Sequence, residues 1–245
     1  SVSAGLSTDE IQTTVRNADI FIAVSGITPV EWYPIPKRSL VIDTDPVFTQ
    51  LRMVHDPVLK SYYASFSHMA TFGRLIGGDS CPLPTHGIHW IPTNQPICLT
   101  HWPVVPSSSR SFTTIGKWEH AIDRHLEFQG KLYRSSKGVE WMKLIDLPSR
   151  VPWRMELGMA GMPPVTQAEF ASHDWHLVDP QSASKSCSGY QKFIQNSAGE
   201  FTVAKEIYAG LPSGWFSDRS AAYLASGRPV VTQASGFDQW LPTGH

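Results

Sequence analysis

Ser213-Gly214-Trp215-Phe216-Ser217-Asp218-Arg219-Ser220-Ala221-Ala222-Tyr223-Leu224-Ala225-Ser226-Gly227-Arg228-Pro229-Val230-Val231 is the stretch on which the reading of this chain turns. Ser217 suits an N-cap, and Asp218 suits the first turn of a helix. Ala221 to Ala225 favours helix, and Gly227 stands where a helix ends in a left-handed residue. Pro229 stops any continuation, and Val230-Val231 opens a buried strand. The pattern predicts loop, short helix, tight turn and strand. A helix start of this kind presents free N–H groups and partial positive charge, which favour a bound phosphate. Arg219, in the first turn, could add a bidentate contact to a diphosphate. The purely structural alternative is a helix–strand joint in which Arg219 pairs with Asp218 or Glu200.

Further toward the N-terminus the same alternation recurs. Ser7-Thr8-Asp9-Glu10 forms a capping box, predicting a helix over Thr8 to Asn17. Ile20 to Val24, ending in Ser25-Gly26, reads as a buried parallel strand, and Ser39 to Ile42 reads as a second. Phe66 to Phe72 reads as a third. From Gly77 to Arg110 the chain is loop-rich, with prolines at 82, 84, 92, 96, 103 and 106. It ends in Ser107-Ser108-Ser109-Arg110, the best linker candidate. Beyond it, Phe112 to Lys117 predicts the first strand of a second domain. Met155 to Met159 and Trp175 to Val178 predict further strands. Thr166 to His173 and Ser188 to Asn196 predict helices, and Lys137 to Leu147 mixes both signals. The whole reads as α/β, with domains at 1–111 and 112–245.

Composition narrows the function classes. The 245 residues carry a net charge of −1 and no basic block, so a nucleic-acid partner is not expected. Hydrophobic residues make up 41%, enough for a core. The nine Trp often lie beside Pro or Gly, as in Glu31-Trp32-Tyr33-Pro34 and His101-Trp102-Pro103. Such residues pin loops, and their faces can also pack on a sugar. Cys81, Cys98 and Cys187 are odd in number and show no CxxC spacing, which argues against a disulfide framework or zinc site and for a reducing, cytoplasmic setting. No apolar run is long enough to span a membrane. The first ten residues lack the basic and apolar regions of a secretory signal.

The stretch at 213–231 resembles the C-terminal half of GT-B-type glycosyltransferases, in which a glycine-containing loop precedes a helix ending Ala-x-Gly-x-Pro-Val-Val. Ala225-Ser226-Gly227-Arg228-Pro229-Val230-Val231 matches that ending. Ser235-Gly236-Phe237 and Leu241-Pro242-Thr243-Gly244 resemble the turn that follows. Gly199-Glu200-Phe201-Thr202-Val203-Ala204-Lys205 adds a likeness to a branch of glycosyltransferase-like proteins. The resemblance implies two Rossmann-like domains with a cleft between them. It implies transfer of a sugar from a nucleotide-sugar donor to a hydroxyl acceptor, without a cofactor or metal. It places the donor at Gly214, Trp215, Phe216, Ser217, Asp218 and Arg219, with Lys205, Gly116 and Lys117 as further phosphate candidates. The two glutamates that many retaining members carry here are replaced by Gly214 and Ala222. Donor contacts of those carboxylates therefore do not transfer.

Asp43-Thr44-Asp45 follows the second strand. It matches a metal-binding Asp-x-Asp pattern, but strand-end placement favours another use. Asp43 or Asp45 would bind acceptor hydroxyls or act as general base; the alternative is a turn before Pro46. His86-x-x-His89 is a spacing that recurs by chance, with no Cys, Asp or Glu clustered with it, so no metal is expected. Few strands open the first domain, and the chain stops just after Pro242-Thr243-Gly244. Both features predict a fold incomplete at both ends. A non-catalytic nucleotide-sugar-binding module, an inactive fragment, or an epimerase-like enzyme on the same architecture are the other readings.

Overall fold

A computed structural model of the chain describes residues 5–27, 36–118 and 125–244. The aromatic cluster at Glu31 to Pro34 lies outside the described residues. The chain divides into two compact units. The first comprises Ser1–Asn94, Leu211–Trp215 and Gly236–His245; the second comprises Gln95–Gly210 and Phe216–Ser235. The crossing at Asn94/Gln95 precedes the Ser107–Ser109 run that the sequence marks as a linker. The Pro-rich segment packs instead within the second unit. Gln195 Nε2 donates to Pro103 O at 2.9 Å, and Arg228 Nη2 donates to Val105 O at 2.6 Å.

In the first unit, β1 (Phe21–Val24), β2 (Ser39–Asp43), β3 (His68–Thr71) and β4 (Trp90–Pro92) form a sheet in that order. Every pairing is parallel. Parallel neighbours need crossover connections. Here helices α2 (Phe48–Arg52) and α3 (Pro57–Ala64) lie between β2 and β3, after α1 (Thr8–Asn17) at the start. The capping box of α1 forms as the sequence predicts: Ser7 N donates to Glu10 Oε2 at 2.8 Å, and Glu10 N donates to Ser7 Oγ at 3.4 Å. Strand β1 departs from the expected buried strand. Ile22 and Val24 are half exposed while Ala23 is buried. Among the described residues β1 pairs with β2 alone, so it has the alternating pattern of an edge rather than an interior strand.

The carboxyl end of β2 is fixed by a buried carboxylate. Asp43 is fully inaccessible. Its Oδ1 accepts from Thr49 Oγ1 at 2.7 Å and from Asp45 N at 3.1 Å. Its Oδ2 accepts from Gln50 Nε2 and Thr71 Oγ1, each at 3.0 Å. These bonds hold a tight turn in which Val47 adopts φ 73, ψ −57 and donates its N–H to Gln50 Oε1 at 2.7 Å. A β-branched residue there is strained, and the surrounding bonds compensate for it.

The last segments of the first unit close around one loop. Leu75 N donates to Ser213 O at 2.9 Å, and Trp240 Nε1 donates to Gly214 O at 2.9 Å. Gly214 has φ 78, and a Cβ there would lie 2.8 Å from Leu75 Cγ and 3.0 Å from Leu75 N. Gly214→Ala therefore meets both positive φ and backbone overlap. It should cost about 1–3 kcal/mol, read as a lower urea midpoint.

The second unit holds a sheet of five parallel strands in the order β11-β10-β5-β8-β9. They are β5 (Ser111–Lys117), β8 (Arg154–Ala160), β9 (His176–Leu177), β10 (Gly199–Phe201) and β11 (Val230–Val231). Strands β6 (Leu126–Phe128) and β7 (Lys131–Tyr133) form a separate hairpin that the sequence reading omitted. Its turn, Gln129-Gly130, has φ 51 and 76, the geometry of a two-residue hairpin. The helices are α4 (Gly138–Met142), α5 (Pro164–Ser172), α6 (Pro180–Ser184), α7 (Cys187–Gln195), α8 (Glu206–Gly210) and α9 (Asp218–Ala225). A core of Trp118, Trp141, Leu157, Phe170, Trp175 and Val203 packs beneath the sheet.

This topology bears on function. The chain lays down β5 centrally, moves outward through β8 and β9, then returns to β5's other side for β10 and β11. The direction of winding reverses between β5 and β10. Open parallel sheets bind ligands outside the carboxyl ends of strands at such a reversal. The α/β class with parallel sheets, expected from the sequence, is what the fold has.

Candidate functional site

Helix α9 forms as its sequence dictates. Gly227, at φ 73, donates its N–H to Leu224 O, and Arg228 N donates to Tyr223 O, both at 2.9 Å. These two bonds make a Schellman ending, the physical reason for glycine before Arg-Pro-Val-Val. At the other end Ser217 has the extended backbone of an N-cap, but its side chain caps nothing. The hydroxyl faces Asp218 Oδ1 at 3.4 Å instead.

Arg219 points inward, across the reversal of the sheet. Its Nε forms an ion pair with Glu200 Oε1. Its Nη1 donates to Ile115 O at 2.7 Å, and its Nη2 donates to Thr202 Oγ1 at 2.8 Å. Glu200 is fully buried and Arg219's side chain is 12% exposed. One guanidinium thereby ties β5, β10 and α9 together. Burial opposes its charge, but the Glu200 carboxylate outweighs that and holds the guanidinium further toward the protonated form. Pairing with Glu200, one of the two structural alternatives open in the sequence, is the arrangement present.

Other candidates gather around this pair to different degrees. Gly116 lies beside it: a Cβ there would sit 3.6 Å from Arg219 Nη1. Lys117, at the end of β5, is exposed. Lys205, after β10, is half-buried, with its amine 5.5 Å from the Tyr208 ring centre. Asp218 is exposed and Phe216 is buried, its carbonyl accepting from Gln95 Nε2. Gly214 and Trp215 belong to the first unit. So do Asp43 and Asp45, and these two differ sharply. Asp43 is buried, and the desolvation raises its carboxyl above the usual range despite the bonds from Gln50, Thr49, Thr71 and Asp45 N. Asp45 is exposed at the carboxyl edge of the sheet. Nearby, Ser25 Oγ and Thr44 Oγ1 are 2.7 Å apart.

Two features escaped the sequence reading. Lys137, the residue before α4, is part-buried, and its N–H donates to Trp118 O at 3.3 Å, just past β5. Burial, with the charge of Arg219, pushes its amine down to about 7, and Glu200, Lys205 and Asp218 act on it electrostatically as well. Only the fold brings it there, since no local pattern distinguishes it. The second feature is a cavity of about 430 Å³ beyond β8 and β9, lined by Met159, Gly161, Met162, Gln167, Val178 and Gln181 among others. His86, half of the His-x-x-His pair, bonds through Nε2 to Gln50 O at 2.7 Å. Among the described residues no three or more His, Cys, Asp or Glu converge as a metal site, and no helix is long and apolar enough to cross a membrane. Cys81, Cys98 and Cys187 are free.

Compared with protein-family models, with curated proteins and with solved structures, the chain matches none.

Proposed function

We propose that the second unit binds the diphosphate of a nucleotide-sugar and that the chain serves as a metal-independent glycosyltransferase of GT-B type, its two units being the two Rossmann-like halves. The observation that carries the binding reading is the reversal of strand order between β5 and β10, with cationic side chains collected at its carboxyl edge. The transfer reading rests on the resemblance of residues 200–244 to that family.

In this proposal the first-turn amides of α9, Lys117 and Lys205 receive the diphosphate, and Gly116 leaves room for it. Arg219 is a positioning residue, because each of its three nitrogens already donates to the protein, at Glu200, Ile115 and Thr202, using three of its five N–H groups. The cavity at Met159 and Val178 takes the nucleoside. Asp45 is the general base for the acceptor hydroxyl, and Asp43 orients it by accepting its backbone N–H. Stabilising the departing diphosphate would be the main catalytic contribution. The setting proposed is the cytoplasm. A binding module without transferase activity is the second reading, favoured by the burial of Asp43 and the engagement of Arg219.

Thermal denaturation with UDP, GDP, dTDP and ADP tests the proposal. One of them, at a hundredfold excess over its Kd, should add about 2.7 kcal/mol, a rise of roughly 5–10 °C. If none of the four raises the midpoint, the donor site is lost. Donor hydrolysis measured with and without hydroxyl acceptors then separates enzyme from binding module.

A further inference from the structure

Arg74 follows the tight turn that ends β3. The last paired residues of β2, β3 and β4 are Asp43, Thr71 and Pro92, so Asp45, Arg74 and Asn94 all stand just past the carboxyl ends of neighbouring strands. The turn is closely packed. A Cβ added to Gly73 would lie 2.5 Å from Ile76 Cδ1 and 2.8 Å from Pro46 Cβ. The loop that carries Arg74 therefore rests on the residue next to Asp45.

The guanidinium is oriented from two sides. Its Cζ lies 4.8 Å from the centre of the Trp240 ring, and Nη1 donates to Asn94 Oδ1 at 3.3 Å. Trp240 is held in turn by its Nε1, which donates to Gly214 O at 2.9 Å. Next to Arg74, Leu75 N donates to Ser213 O at 2.9 Å. All of these residues belong to the first unit. Stacking on an aromatic ring orients a guanidinium without neutralising it. Arg74 makes no ion pair among the described residues, and its Nε and Nη2 donate to none of them. Neither nitrogen is a buried, unpartnered atom, so both reach solvent. Other arginines are spent differently. Arg52 pairs with Asp56 at 3.7 Å, Arg219 pairs with Glu200, and Arg228 Nη2 serves the carbonyls of Val105 and Gln195. Arg74 thus presents a fixed, unneutralised fork, the shape that receives a carboxylate or phosphate through two N–H bonds.

We infer that Arg74 holds an anionic group, a carboxylate or phosphate, on the hydroxyl acceptor. The inference rests on the reading of the first unit as the acceptor half, and it names the acceptor's class: a hydroxyl compound that bears an oxyanion. Asp45 and Arg74 divide the acceptor by charge. The Asp45 carboxylate meets the reacting hydroxyl, and the guanidinium takes the negative end, which Asp45 would repel.

Phenylglyoxal modification of the whole chain, read at Arg74 by mass spectrometry, tests this with glycerol, glycerate and glycerol 3-phosphate as probes on one carbon frame. At about ten times its Kd, the preferred anion should slow labelling of Arg74 about tenfold, while glycerol leaves it unchanged. Glycerate against glycerol 3-phosphate decides between carboxylate and phosphate. Arg110, over the Trp153 ring at 5.8 Å in the second unit, is the internal control and should not respond. Thermal denaturation over the same concentrations gives the affinities of wild type and variants. The preferred anion should bind wild type at least about tenfold more tightly than glycerol, the worth of a charge-assisted bond. Arg74→Met should abolish that preference. Arg74→Lys should keep only part of it, because an ammonium has the charge without the fork. An arginine that merely pins Trp240 would show no anion preference in wild type, whatever its substitution does to stability. Labelling of Arg74 that neither anion slows, or that glycerol slows equally, overturns the inference. So does equal protection of Arg110, or a preference that survives Arg74→Met. If a nucleotide stabilises the chain while no anion protects Arg74, the donor reading stands and this inference falls. If an anion protects Arg74 while no nucleotide binds, the anion site stands and the donor reading falls.

Discussion

Arg219→Ala is expected to lower the stability of the second unit by about 3–5 kcal/mol, the range for breaking a buried ion pair from one side. The cause is what remains. Glu200 has no accessible surface, and its Oε2 is already without a partner. Without the guanidinium, its Oε1 keeps only Thr114 Oγ1 at 3.4 Å, while Ile115 O and Thr202 Oγ1 lose a donor each. Pairing Arg219→Met with Glu200→Leu should recover most of the loss, because an apolar pair leaves no orphaned charge. A urea-denaturation cycle over the single and double variants measures the coupling. A loss under 1 kcal/mol with abolished nucleotide binding would make Arg219 a ligand group rather than a structural one.

Trp141→Ala should cost a similar amount, about 3–5 kcal/mol, by opening a cavity in the core. Trp141 is fully buried, edge-on to Trp175 at 5.5 Å and tilted against Phe201 at 6.0 Å. The control is Trp141→Phe. The indole Nε1 is buried with no partner, so removing it relieves a desolvation cost that the smaller ring partly offsets. The phenylalanine variant should therefore lose clearly less than the alanine variant, because it opens the smaller cavity. Equal losses in both variants would overturn the cavity account.

Both sites show where sequence reading succeeds and where it stops. Local signals carried the elements well. The Ser7–Glu10 box, the Gly227 helix ending and the Phe112–Lys117 strand and turn each act within a few residues, so each is visible in one dimension. Strand β4 was missed because its Trp90-Ile91-Pro92 is short and ends in proline, in a Pro-rich stretch. Burial of β1 was misjudged because an apolar run does not say whether a neighbour exists on each side. At the site, the N-terminus of α9 was legible, but the destination of Arg219 was not. Whether a guanidinium meets a ligand or a carboxylate depends on which strand lies beside it, and β10 reaches β5 only after the chain has wound through β8 and β9. Lys137 was invisible for the same reason.

The return of 211–215 and 236–245 to the first unit sets the order in which the two units can be finished during synthesis. The second unit has all its residues once Ser235 has left the ribosome. The first still lacks buried Phe237 and the Trp240 bond to Gly214, although its sheet was made at the outset. Such long loops cost only a little more closure entropy than short ones, but they must wait for the chain. The half translated first is thus the half completed last, and until then Leu75 N lacks its bond to Ser213 O.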